Sequence, residues 1–193
     1  MAEMRDASFL PNDPVSIGVL VVTAMGPLTL EGILGALAHL GAPSWRPVDE
    51  VVVSAVDRLC RQGLLETIPR HRDEMFEPSE AARSALTKLL DALPLSAASP
   101  DIGYKLKVMG LDLLDTGARA KQLEALVGHW RGVAALWQTA EDRCPCTQPS
   151  VRGWMKHNLN LARSEIDWLM SVSNIDAGNR AARGPLPRHG GGA

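Results

Sequence analysis

The stretch "VVVSAVDRLCRQGLLETIPRHRDEMFEP", residues 51–78, constrains the fold more than any other part of the chain. Val48, Val51, Val52, Ala55, Val56 and Leu59 recur at three- and four-residue steps. That spacing predicts an amphipathic helix from Pro47 to Gln62 with these six side chains inward, and over four turns it outweighs the strand preference of three consecutive valines. Gly63 stands where a helix needs a left-handed residue to stop. The short runs "LLETI" and "EMFEP" flank "PRHRD", which predicts a two-stranded hairpin.

What precedes and follows the stretch completes a pattern. Asp13 and Pro14 supply an N-cap and a first helical residue for a helix to about Ala24, broken by Gly26 and Pro27. A second helix is expected from Thr29 to about Leu40, and Ser79 caps a further one, "EAARSALTKLLDAL". Three helices, a hairpin and a helix within residues 1–93 is the order of a winged helix-turn-helix domain. The stretch "PLSAASPDIG", 94–103, marks a linker. Residues 104–173 read as an all-helical half: "YKLKVMGLDLL", then "ARAKQLEALVGHWRGVAALWQTA" after a break near Asp115–Gly117, the loop "EDRCPCTQPS", and a final helix at 151–172. The tail 174–193 has no periodicity and is expected to be flexible. The fold class is mainly α, a winged helix-turn-helix domain with a β-hairpin wing followed by a C-terminal helical dimerisation domain.

In the final helix Met155, Leu159, Ala162, Ile166 and Leu169 alternate by four and three, while Trp154, Leu161 and Trp168 recur by seven. So broad an apolar stripe calls for a partner, and pairing across a two-fold axis covers it naturally, with Met155, Leu159, Ala162, Ile166, Trp168 and Leu169 as the dimerisation set.

Composition narrows the function. A net charge of -2 excludes a broadly basic molecule, so any nucleic-acid contact must come from a local patch. The start "MAEMRDASFLPNDP" lacks a signal-peptide pattern, and the apolar run 15–25 is about half the roughly 20 residues a spanning helix needs, so a cytoplasmic protein without membrane association is expected. There is no Gly-rich phosphate loop, metalloprotease motif or nucleophile elbow, and His129 and His157 have no carboxylate or serine at catalytic spacing, which argues against an enzyme.

The ordered phrases of the chain resemble PadR-type transcriptional regulators. Arg58-Leu59 with Gly63-Leu64-Leu65, the wing aromatic Phe76 and the helix start Ser79-Glu80-Ala81 match the family's winged domain. The later segments "YKLKVMGLDLLDTGARAKQLEAL" and "VRGWMKHNLNLARSEIDWL", with Glu165, Trp168 and Leu169, look like its longer C-terminal helices. The resemblance covers roughly residues 15–172. It implies a homodimeric regulator that binds a double-stranded operator, a repressor relieved by a small molecule or another signal. The sequence departs from the family where a tyrosine is usual near Val53 and a basic residue is usual at Asp57. Each lost phosphate contact removes a counterion-release contribution to binding.

On this reading Arg46, Ser54, Arg58, Arg61, Arg70, His71 and Arg72 are the DNA-binding candidates, on a helix face that also carries Glu50, Val53 and Asp57. A solvated face of mixed charge is the alternative, and with it a winged-helix module that has lost DNA and binds a protein partner. Trp130, Trp137 and Trp154 could line a pocket for a flat aromatic effector, or could simply pack. Of three cysteines, Cys60, Cys144 and Cys146, reduced thiols are the default. The Cys144/Cys146 loop could respond to haem, zinc or an oxidant, with His129 or His157 as a further ligand, or could be an ordinary loop, since a single C-x-C lacks the second ligand pair of a structural zinc site.

Overall fold

The computed structural model describes residues 10–41, 45–70, 73–96, 101–145 and 148–183. The chain divides into two compact units, Met1–Gln122 and Leu123–Ala193. No helix among the described residues is long and apolar enough to cross a membrane.

The first unit is built around α1 (Pro14–Ala24). Its residues Ser16 to Thr23 are all buried. A helix apolar on every side has to be enclosed on every side, and α1 meets α2 (Leu30–Gly41), α3 (Asp49–Arg61), β2 (Asp73–Pro78), α4 (Glu80–Ala92) and α5 (Ile102–Gly110). Its two buried hydroxyls are satisfied. Thr23 Oγ1 donates to the Val19 carbonyl at 2.7 Å, and Ser16 Oγ accepts from Arg58 at 2.5 Å. Asp13 Oδ1 caps α1 by accepting from the Ser16 amide at 2.8 Å, as the Asp-Pro start predicts.

β1 (Leu65–Arg70) pairs antiparallel with β2, from Leu65 opposite Pro78 to Arg70 opposite Asp73. Leu28 adds a short third rung, exchanging hydrogen bonds with Phe76 at 3.2 and 2.8 Å. This is a winged helix: three helices, a hairpin with one strand bridged to the α1–α2 connection, and a closing helix.

Two features depart from the sequence reading. The boundary at 94–103 placed α5 in the second half, yet Leu106 is fully buried in the same core as α1, and Lys107 Nζ donates to the Leu90 and Asp91 carbonyls at the end of α4. Burial pushes the Lys107 ammonium below the usual lysine range, partly offset by Asp91. A Pro/Ser-rich connection marks a loop, and whether the next helix packs back is decided by its apolar face. Secondly, α7 (Pro149–Arg183) extends beyond the expected end at 172, into the tail predicted to be flexible. Residues 174–183 contain three alanines and two arginines and no proline, so the one glycine, Gly178, weakens the helix without ending it. The rest of the tail lies outside the described residues.

In the second unit, α6 (Thr116–Arg143) spans the division, and Asp115 caps its start through the Gly117 and Ala118 amides at 2.8 and 2.9 Å. A single 3₁₀ turn, Leu111–Leu113, accounts for the interruption expected between α5 and α6. Trp137 on α6 meets Trp154 on α7 edge to face at 4.9 Å, and Arg163 donates to Gln138 at 3.1 Å.

Gly103 shows how tightly the α4–α5 return is closed, since a Cβ there would lie 2.2 Å from the Pro94 carbonyl oxygen. Gly103→Ala is expected to destabilise the protein by about 1–3 kcal/mol, because backbone has to move. Gly128→Ala, whose Cβ would meet nothing within 4 Å, should gain up to about 1 kcal/mol from helix propensity. Urea unfolding of the two variants should show these opposite signs.

Candidate nucleic-acid interface

α3 ends as the sequence predicts. Gly63 has φ 68°, its amide donates to the Cys60 carbonyl at 3.0 Å, and the Leu64 amide donates to Leu59 at 2.9 Å. That pair of bonds is a Schellman motif, and the buried Leu59 and Leu64 form its apolar closure. The motif turns the chain straight into β1, so hairpin and helix follow each other without slack.

The inward face of α3 is narrower than its valines suggest. Val52, Ala55, Val56 and Leu59 are buried, whereas Val48 is 60% and Val51 47% exposed. Val48 is the N-cap and Val51 belongs to the first turn, which extends past the core. Asp49, Glu50, Ser54, Asp57 and Arg61 are exposed beside them, with Val53 half-buried. Asp49, Glu50, Val53, Ser54 and Asp57 border one open hollow, and Arg46, Pro47, Val48, Asp49 and Glu50 a second.

The seven basic and polar candidates separate in space. Arg46 and Arg61 are exposed at opposite ends of α3, and Ser54 is exposed at its middle. Arg58 pairs with Asp13 Oδ2 at 2.9 Å, a partner that the sequence did not reveal, and its side chain stays 43% exposed. The cause is geometric: one residue before Leu59, it lies on the flank that approaches the start of α1. Arg70 closes β1 opposite Asp73, and His71 and Arg72 lie outside the described residues. Three exposed carboxylates, Asp49, Glu50 and Asp57, therefore lie on this surface, with the exposed Arg46 and Arg61 at its ends. Asp49 and Glu50 in the first turn complement the helix dipole, and they take the place an anion would otherwise occupy at that N-terminus.

Cys60, a free thiol beside this face, is pushed up by burial, with Asp57 and Glu74 adding to the effect.

The other candidates fall in the second unit. Trp130 is buried, with His129 at 5.5 Å edge to face, and the Trp137 and Trp154 rings meet each other. Both ring pairs are edge-to-face contacts. Cys144 is disulfide-bonded, which corrects the expectation of a reduced thiol and removes it as a thiolate ligand. Cys146 lies outside the described residues. Among the described residues no group of three or more His, Cys, Asp or Glu side chains could hold a metal, and His157 stands exposed on α7. The dimerisation set also divides. Leu159, Ala162 and Leu169 are buried within the chain and Met155 and Ile166 half-buried, while Trp168 is 45% exposed. Trp154 and Leu161, at 55% and 38% exposed, lie fourteen and seven residues before Trp168 and share its outward seam. The sevenfold spacing was visible in the sequence; which of the two stripes turned outward was not.

No protein-family model matches the sequence, and no curated protein matches it. Among solved structures the chain is similar to Bacillus subtilis PadR in complex with operator DNA, at 13% identity and a TM-score of 0.39, covering 84% of this chain and 99% of that one. It is similar to Bacillus subtilis PadR in complex with p-coumaric acid, at 13% identity and a TM-score of 0.37, covering 84% and 98%. The Vibrio cholerae virulence activator AphA is similar at 20% identity and a TM-score of 0.37, again covering 84% and 98%. What bears on function is the surface of α3 itself.

The surroundings of Cys60 make a checkable statement about that surface. Raised in the folded protein, its thiol should alkylate slowly at neutral pH, with a pH–rate midpoint above that of the unfolded chain. Asp57→Asn should move the midpoint down. Peptide mass spectrometry after timed iodoacetamide labelling reads both.

Proposed function

We propose that this chain is a DNA-binding transcriptional regulator that acts as a homodimer, a repressor whose hold on its operator is relieved by a small molecule or another signal. The observation that carries the reading is α3: its outward face is uncovered by any described residue of the first unit and is followed at once by a wing. A 13-residue helix is about 20 Å long, and a major groove is about 12 Å wide. Arg46 and Arg61 at its two ends would lie near the phosphate strands that border such a groove, with Ser54 between them. Arg70, His71 and Arg72 in the wing would add backbone contacts. The repressor role and the relieving signal rest on the sequence phrases that resemble PadR-type regulators.

The acidic centre of α3 makes a definite electrostatic expectation. Fluorescence anisotropy with a labelled fragment from upstream of its own gene should give saturable binding that weakens with salt. Arg61→Ala should flatten the slope of log affinity against log salt by about 0.9, and Asp57→Lys should steepen it by a similar amount. No binding at about 50 mM salt would sink the reading.

Dimerisation is assigned to the outward seam of α7, Trp154, Leu161 and Trp168, since a second copy covers three large exposed apolar groups by symmetry. Leu161→Glu combined with Trp168→Glu should shift sedimentation from dimer to monomer and cost most of the DNA affinity, because avidity is lost. A monomeric wild type would remove this part of the proposal.

One observation favours a second reading. Val48 and Val51 are exposed next to Asp49, Glu50 and Asp57, a combination suited to a basic, partly apolar protein segment rather than to phosphates. On that reading the module keeps the winged shape and binds protein.

A further inference from the structure

The Arg58 guanidinium reaches an element 45 residues away in sequence. Its Nη2 donates to Asp13 Oδ2 at 2.9 Å and to Ser16 Oγ at 2.5 Å, while the other oxygen of the same carboxylate, Oδ1, accepts the Ser16 amide at 2.8 Å. One carboxylate therefore joins the first turn of α1 to the last turn of α3. The buried apolar face of α3 begins only at Val52 and comprises Val52, Ala55, Val56 and Leu59, with Cys60 packed beside them, whereas Val48 and Val51 are exposed. The Gly63 stop fixes the C-terminal end of α3 to the wing, but apolar contact is non-directional, so the stripe by itself sets the roll of the helix on α1 only loosely. A charge-assisted hydrogen bond from a planar guanidinium has direction and fixes that roll.

We infer that Asp13, Ser16 and Arg58 form a latch that sets the roll of α3 on α1, and with it which side chains of α3 face outward. Arg58 is a positioning residue and takes no phosphate. The consequence for DNA rests on the proposed function, while the coupling between Asp13 and Arg58 does not.

Two measurements on the full-length protein test it. Asp13→Asn keeps an oxygen for the Ser16 amide and removes the charge facing Arg58; Arg58→Met keeps the stem and removes the fork. In thermal melts each is expected to lower Tm by about 2–4 °C, with the double variant no lower than the worse single. Additive losses, or no loss in either single variant, overturn the latch. The second measurement is anisotropy with a labelled mixed-sequence duplex between about 50 and 200 mM salt, well below the lowest Tm. Both single variants should weaken binding at an unchanged salt slope. A slope flattened by about 0.9 in Arg58→Met alone would mark Arg58 as a phosphate ligand and overturn the proposal. A gain in affinity with a steeper slope in Asp13→Asn would overturn it as well, because the carboxylate would then be holding back a DNA contact. If the wild type binds no duplex, the DNA reading fails and the melting experiment decides the latch on its own.

Discussion

The first unit depends on the enclosure of α1. Ile17, Val19, Leu20, Val21 and Val22 are each at most 4% exposed, and burying one such side chain contributes roughly 1.5–3 kcal/mol. No single neighbour can cover a helix that is apolar all round, so α2, α3, α4, α5 and the wing are held in place by the same requirement. The placement of α3 follows from it: α3 stands where it does because Val52, Ala55, Val56 and Leu59 close one side of α1.

Charge is distributed on that frame in an unusual way for a surface that would meet nucleic acid. Arg58, in the last turn, is paired with Asp13, and the exposed surface beside it carries Asp49, Glu50, Ser54 and Asp57. On the proposed reading, binding of a duplex would draw on the ends of this surface, Arg46 and Arg61, on the wing, and on the avidity of a dimer. Specificity by the helix centre would then come from Ser54 or from a carboxylate accepting a cytosine amino group. Shape and charge here point in different directions, and the salt dependence of binding is the quantity in which they separate.

Much of the fold was legible because its signals are local. The Asp13 cap, the Gly63 stop, the Ser79 cap and the hairpin arise from hydrogen bonds and φ angles between residues close in sequence. The helical extent of α3 was readable from its spacing, although the spacing could not say that the helix outruns its core and leaves Val48 and Val51 in water. The Pro/Ser-rich segment before α5 separates α4 from α5. It carried no information on where Leu106 would be buried, since that depends on α1 and α4 far away in sequence. The candidate site was legible as a list of residue types, and the list did not reveal that Arg58 already had a partner.

The helices, the caps at Asp13 and Ser79, the stop at Gly63, the wing and the two apolar stripes on α7 could be read from the sequence, because three-four and sevenfold spacings and capping residues act over one or two turns. Only the tertiary structure decided which arginine faces outward, which valines are covered, and which stripe of α7 remains exposed at Trp154, Leu161 and Trp168. Those outcomes depend on contacts between elements tens of residues apart, and a periodic pattern names the faces of a helix without saying which of them will find a neighbour.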